Sequence, residues 1–392
     1  MRIAIIGAGI GGLTAALALR QFGFEPQVFE QAPALLDVGA AILMWPNAMR
    51  VLHQLGLADA VRQHGGIMEQ ARWLNYDGRL LNNFRFPKTD LPPMALHRAE
   101  LQHVLLSALS ENSIHLDHVF ESYEERAGEI VARFANGRSF ECEALIGADG
   151  LHSRVRTQLL NDGPPTTHDY VAWRGVVDSP PTSITPGIAY EIYGRGQRFG
   201  IGTLGSGKIG WWASINKNLN GSKKANEHAG HGLYRDELRS FDDWWAPVPA
   251  LIRATPASAL IRNDTCDRRP SRKWGEGPMT LLGDAIHPIT PNLGQGGCLA
   301  IEDAAILARC LNKYASADKQ GEVTSALRKF EALRFARAAS VRRYSRIYGV
   351  VGQWESQWAV RLRRLALSLV PAALTERVLR SLFDYDAYAV SI

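Results

Sequence analysis

Cysteine is scarce in this 392-residue chain: Cys142, Cys266, Cys298 and Cys310 stand alone, in no C-x-x-C or zinc-like spacing. No metal site and no redox disulfide can be read from them, and reduced thiols in a cytoplasm are the expectation. Basic runs are lacking as well. The net charge of +5 would suit nucleic acid or an acidic partner, but Lys and Arg are scattered along the chain, which argues against nucleic-acid binding. Stable membrane insertion is not expected either. Charged residues make up 21% and hydrophobic ones 46%, so nothing argues for disorder and there is ample material for a core. At this length the core is expected to split into two lobes.

Chemistry begins at the first residue. Arg2 ahead of an apolar run with Ala16-Leu17-Ala18 loosely imitates a signal peptide. "MRIAIIGAGIGG" supports a better reading: a β-branched strand over 3–6 runs into Gly7-x-Gly9-x-x-Gly12 and then a helical pattern from Leu13 to Phe22. This is the dinucleotide fingerprint in its strand-turn-helix context, with phosphate placed at the helix N-terminus. A second strand, "PQVFE", ends at Glu30, where an adenosine ribose needs an acceptor and a carboxylate repels a 2′-phosphate. Gly205-Ser-Gly207-Lys-Ile-Gly210 matches the same pattern but lies between alternating runs, so a β-hairpin turn is predicted there. With one Rossmann fingerprint in the chain, NAD and FAD both remain open at this point.

Two later clusters repeat the design. "EALIGADGLHSRVR" sets an apolar strand before Gly147-Ala-Asp149-Gly150, which could be a turn joint. "MTLLGDAIHPITPNLGQGGCLAIEDAA" sets another before Gly283-Asp284, then Gly294-Gln-Gly296-Gly297 and an amphipathic helix carrying Glu302 and Asp303. The free N–H groups and dipole of that helix would favour negative charge placed before it. His287 has no second ligand at metal spacing and reads as structural, and no metal is expected.

The opening G-x-G-x-x-G, the "GADG" cluster and "LLGDAIHP" with "GQGGCLAIEDA" together resemble the three fingerprints of the single-component, FAD-dependent aromatic hydroxylases of the para-hydroxybenzoate hydroxylase type, across residues 1 to about 335. The resemblance implies an α/β fold: a Rossmann-type FAD-binding domain (1–72, 96–168 and 264–335) with an inserted, mostly antiparallel β-sheet substrate domain (73–95 and 169–263), then a C-terminal helical segment, 336–392. Gly7 serves the tight turn and Gly9 the approach of the pyrophosphate; the resemblance implies that Gly11, Gly12 and Glu30 with Gln31 hold the AMP half of FAD, that Arg98 and Asp284 meet the pyrophosphate and ribityl region, and that the backbone of Val119 passes the adenine. Leu43 and the backbone of Gly294, Gly296 and Gly297 would lie along the flavin, and Asp149 is associated with FAD and nicotinamide binding. The implied chemistry is reduction by NADH or NADPH as a transient co-substrate, addition of O2 at C4a and transfer of one oxygen from the hydroperoxide to an electron-rich ring.

In the middle lobe, "YVAWRGVV", "IAYEIYG", "RFGIGTL" and "IGWWASIN" alternate as an antiparallel sheet should, and Trp173, Tyr193, Trp211 and Trp212 read as core or pocket lining. Arg198 is either a solvated strand-end residue or, by resemblance to flavin-dependent urate hydroxylases, a substrate-activating one. The tyrosine those enzymes carry twelve residues later is Gly210 here, which argues against urate. "YGRGQRFGIGTLGSGKIGWWA" is similar to zeaxanthin-epoxidase-like proteins, making epoxidation of an olefinic substrate the alternative, with a flavin-dependent reductase on the same fold a further one. The segment 221–232 reads as a polar loop or helix approach. In the tail, Trp358, Leu362, Leu365 and Leu369 at helical spacing predict a helix packed on its own protein rather than on a membrane. Similar tails close the pocket or dimerise in relatives, so a homodimer is among the expectations.

Overall fold

The computed structural model describes residues 1–35, 39–126, 129–178, 183–219, 236–315 and 320–392. The segment 221–232 lies outside the described residues. Strand β1 (Arg2–Ile6) buries Ile3, Ala4, Ile5 and Ile6 because it is the middle of a parallel ladder, between β2 (Glu25–Phe29) and β12 (Ala144–Gly147). With β8 (Ile114–His115), β18 (Gly275–Glu276) and β19 (Met279–Leu281) they form a sheet ordered β18-β19-β12-β1-β2-β8. Helix α1 (Ile10–Arg20) makes the β1-to-β2 crossover and packs on α7 (Gly296–Tyr314) through small residues: Gly11 leaves room for Leu282 and Ala300. A meander of β9 (Phe120–Arg126), β10 (Glu129–Phe134) and β11 (Ser139–Cys142) stands beside this sheet.

The second lobe is a seven-stranded sheet, ordered β17-β13-β16-β15-β14-β5-β6. Its strands are β5 (Gln70–Asn75), β6 (Leu80–Arg85), β13 (Thr166–Val177), β14 (Ile188–Tyr193), β15 (Gln197–Thr203), β16 (Ile209–Asn216) and β17 (Ile261–Asp267). All neighbours are antiparallel except β14 and β5. The second Gly-x-Gly match falls in the β15-to-β16 turn, as the hairpin reading requires. Strands β5 and β17 run across the expected boundaries at 72/73 and 263/264, because a sheet is continuous where a sequence-level division must cut.

Alternation sorts this sheet into two faces. Trp173, Tyr190, Ile192, Phe199, Ile201 and Trp211 point outward into a second core closed by Phe241, Trp244 and α6 (Pro247–Ala254). Glu191, Tyr193, Arg198, Trp212 and Trp73 share the inner face. Between the lobes lies a small sheet of β3 (Ala41–Met44), β7 (Met94–His97) and β4 (Gly66–Ile67).

Among the remaining described helices, α2 (Pro46–Gln54), α3 (Ala58–His64), α4 (Arg98–Ser107) and α5 (Arg154–Leu160) belong with the first sheet, and α8 (Gln320–Gly352), α9 (Gln357–Leu369) and α10 (Ala372–Phe383) end the chain. The expected boundary at 335/336 falls inside α8. One sequence expectation fails in α9: Trp358, Leu362, Leu365 and Leu369 are exposed, while Ala359 and Arg363 are buried. The helix is turned apolar side out because its inner face is fixed by Arg363, whose guanidinium donates to the carbonyls of Val351 and Gly352.

Candidate active site

Gly7 sits at φ +107°, a conformation open to glycine, and its N–H donates to the Phe29 carbonyl at 2.8 Å, so β1 turns sharply into α1. A Cβ at Gly12 would collide with the Gly7 carbonyl. A Cβ at Gly9 would meet nothing within 4 Å: the start of α1 faces open space, with no capping side chain on its free N–H groups. Glu30 flanks this loop, one carboxylate oxygen accepting from Ala8 N–H at 2.8 Å and the other from Ala32 N–H at 3.0 Å. Gln31 beside it is exposed, and the Val119 carbonyl accepts from Ala135 N–H at 2.9 Å.

Asp149 lies against the same loop, since Gly7 approaches Ala148 and the Asp149 Cα. One Asp149 oxygen accepts from Arg154 N–H at 2.8 Å and Val155 N–H at 3.3 Å, as a turn residue would. The other is buried without a partner, and burial raises the carboxyl above its ordinary pKa.

The segment around Asp284 gathers several expected residues that are distant in sequence. Gly294, at φ +60°, lets its loop close on the Leu43 side chain, and Gly297 does the same against Ile42. Gly296 at the start of α7 sits where a Cβ would be 3.8 Å from Asp284 Oδ1. Arg98 opens α4, its N–H donating to the Ala40 carbonyl at 2.9 Å. Asp284 keeps a solvent-exposed surface although protein surrounds it closely. Burial raises its pKa, against the lowering effect of His287 and Arg98. These residues fit an FAD: the open start of α1 could take a phosphate, Glu30 and Asp284 could accept from hydroxyls, and the free N–H groups of α7 would favour a reducible ring that gains negative charge.

His287 takes the structural role expected of it. Its Nε2 pairs with Asp303 Oδ2 at 2.6 Å, and the same oxygen accepts from Gly283 N–H at 3.0 Å, pinning the Asp284 turn to α7. Glu302 and Asp303 do not sit on the polar side of an amphipathic helix, as the pattern suggests. Both are fully buried and paired with α8: Arg334 reaches Asp303 at 2.6 Å and Glu302 at 2.7 Å, and Arg337 reaches Glu302 at 2.9 Å. Burial pushes the Asp303 pKa up, but the His287 and Arg334 charges outweigh it and hold the carboxyl at about 2.

Arg198 is 3% exposed and is not a solvated strand end. Its Nη1 pairs with Glu191 at 3.2 Å, its Nη2 donates to Asn292 Oδ1, and its guanidinium lies 5.1 Å from the Tyr348 ring centre. Tyr348 and Tyr193 share a hydroxyl hydrogen bond of 2.5 Å. Burial pushes Glu191 up to about 7, against the opposing pull of Arg198 and the Trp212 indole N–H at 3.3 Å. Sequence reasoning missed Glu191 and Asn292. Alternation of "IAYEIY" offered a signal for Glu191, since it shares a face with Tyr193, which pairs with Arg198 across the hairpin. Asn292 comes from the α7 loop and had no local signal. Of the four aromatics, Tyr193 and Trp212 face this site, whereas Trp173 and Trp211 belong to the outer core. A cavity of about 390 Å³ opens beside Tyr170 and Thr290, both hydrogen-bonded to Asn292.

The family described as FAD binding domain matches residues 1–342. The chain is similar to the aurachin C monooxygenase/isomerase of Stigmatella aurantiaca, 38% identical over 379 residues covering 94% of each protein. It is 31% identical to the chloroplastic zeaxanthin epoxidase of Oryza sativa subsp. japonica across 89% of its own length, and it spans 55% of that longer protein. Among solved structures, Klebsiella pneumoniae HpxO complexed with FAD and uric acid superposes with a TM-score of 0.87 at 28% identity, covering 98% of this chain and 96% of that one.

Proposed function

The chain belongs to the FAD binding domain family and is an FAD-dependent monooxygenase; on that premise we propose that it takes NADH or NADPH and O2 in the cytoplasm and hydroxylates an aromatic or heteroaromatic small molecule held at Arg198. FAD, when bound, supplies the electron transfer and the activation of O2. The protein's own part is to position, to exclude water and to set charge.

Gly7, Gly9, Gly11, Gly12, Glu30, Gln31 and Val119 would hold the AMP half, Arg98, Asp149 and Asp284 the middle, and Leu43 with Gly294, Gly296 and Gly297 the ring. The substrate lobe would be the inner face of the seven-stranded sheet. The observation that carries the substrate reading is the buried Arg198 and Glu191 pair set among aromatic rings. Trp73 and Phe84 pack edge to face at 5.3 Å, and Trp212 reaches Glu191. Such a site gives an apolar ring its walls and one polar oxygen its cation. Urate is disfavoured, because a Cβ at Gly210 would collide with Ala41 and leaves no room for a tyrosine there.

A screen of phenolic acids and hydroxylated heteroaromatics, scored by stimulated NADH oxidation and corrected for hydrogen peroxide, tests this reading. Coupled turnover of such rings supports it, and coupled turnover confined to polyenes supports epoxidation instead. The Trp73, Phe84 and Trp212 rings and the likeness to zeaxanthin epoxidase favour epoxidation as the second reading.

A further inference from the structure

Helix α9 presents Trp358, Leu362, Leu365 and Leu369, spaced i, i+4, i+7 and i+11, as one apolar stripe facing away from the protein, at 70%, 49%, 58% and 69% exposure. Surface helices ordinarily bury such a stripe. Here polar contacts at the middle and at the C-terminal end of the helix fix the outward orientation. Arg363 on the opposite side donates to Val351 O at 3.1 Å, Gly352 O at 2.6 Å and Gly194 O, and Asn82 of β6 donates to Leu367 O at 2.8 Å and Val370 O at 2.9 Å. On α10, Leu374 and Val378 are likewise exposed one turn apart, as are Ile347 and Val350 at the end of α8. A patch of this kind marks a binding face rather than ordinary protein surface.

Its charge identifies the partner. Between residues 332 and 383, Arg343, Arg361, Arg377 and Arg380 are exposed, whereas the two acids of the segment, Glu355 and Glu376, are half-buried. Arg361 is exposed at the edge of the stripe, and α9 contains no acid. No described helix is long and apolar enough to cross a membrane. We propose that the face of α9 and α10 is a peripheral docking surface for an anionic lipid bilayer, its apolar stripe entering the acyl boundary and its arginines meeting headgroup phosphates. A second copy of the chain is a poorer partner: a two-fold pairing of α9 would bring the exposed Arg361 of both copies together with no carboxylate of α9 between them. The docking surface is independent of which ring or olefin the enzyme oxidises.

The test is co-sedimentation of flavin-loaded protein with vesicles of phosphatidylcholine containing phosphatidylglycerol, against pure phosphatidylcholine, at low salt. Wild type is expected to sediment with the anionic vesicles and to bind neutral ones at least about tenfold more weakly. The double variant Leu362→Glu, Leu365→Glu is expected to lose about tenfold or more in affinity, with unchanged FAD content and circular dichroism. Arg361→Gln should lose about fivefold on anionic vesicles alone. Absence of sedimentation with either vesicle overturns the proposal, as does equal binding by the double variant. A wild-type dimer in light scattering that the double variant converts to monomer also overturns it, assigning the stripe to a second copy.

Discussion

Arg198 of the substrate sheet donates a hydrogen bond to Asn292 Oδ1 in the loop that leads into α7. One contact thereby ties the face that would hold substrate to the turn that would hold the flavin. Gly349 and Gly352 of α8 close around the pair, leaving no room for side chains of their own.

Substitution of Arg198 should therefore act on substrate and leave cofactor in place. For Arg198→Gln the expected loss in kcat/KM is about 10–100-fold, the range for one hydrogen bond to a charged group, with FAD content unchanged. Wild-type kcat/KM on the best substrate would remove Arg198 from the site.

Glu191 adds a pH dependence. Its folded-state pKa, about 7, lies above the ordinary 4.5, so the carboxyl is protonated below pH 7 and ionised above it. Ionised, it competes with a substrate oxygen for Arg198. For an acidic substrate, kcat/KM is expected to fall as pH rises through about 7, and Glu191→Gln should abolish that step. The raised pKa also means that Glu191 costs stability as pH rises from about 4.5 to 7. A pH profile identical in wild type and Glu191→Gln contradicts this role.

Asp284→Ala tests the cofactor cradle. Loss of one carboxylate acceptor should weaken FAD retention about tenfold or more, measured as flavin fluorescence released on dilution. Unchanged retention would separate Asp284 from the ribityl chain.

Asp303 has a structural role in the buried network that supports that cradle. Its pKa of about 2 lies below the ordinary 3.8, so its stabilisation is present above about pH 4 and lost as pH falls toward 2. Asp303→Ala leaves the Arg334 charge less compensated and should cost about 3–5 kcal/mol in urea unfolding. A cost below about 1 kcal/mol would show the network to be dispensable.

The parallel core was legible because β1, β12 and β19 are short apolar runs ending in glycine turns, and three such turns in order fix both strand contexts and cradle. Gly7, Asp284 and Gly294 could be singled out for that reason. Glu302 and Asp303 were not legible as buried, since their partners Arg334 and Arg337 come from a helix some thirty residues away. The same limit hid Asn292, whose bond to Arg198 spans two lobes. The orientation of α9 was misread because periodicity reports that a stripe exists and leaves open which side the rest of the protein holds; Arg363 decides that through backbone carbonyls.

FAD held between α1, Asp284 and α7 would drive insertion of oxygen from O2. The most direct measurement is turnover of a coupled substrate under ¹⁸O2 with NADH, followed by mass spectrometry. One labelled atom in the product and a stall after flavin reduction when oxygen is excluded are expected; label drawn from water, or sustained substrate turnover without oxygen, contradicts a monooxygenase.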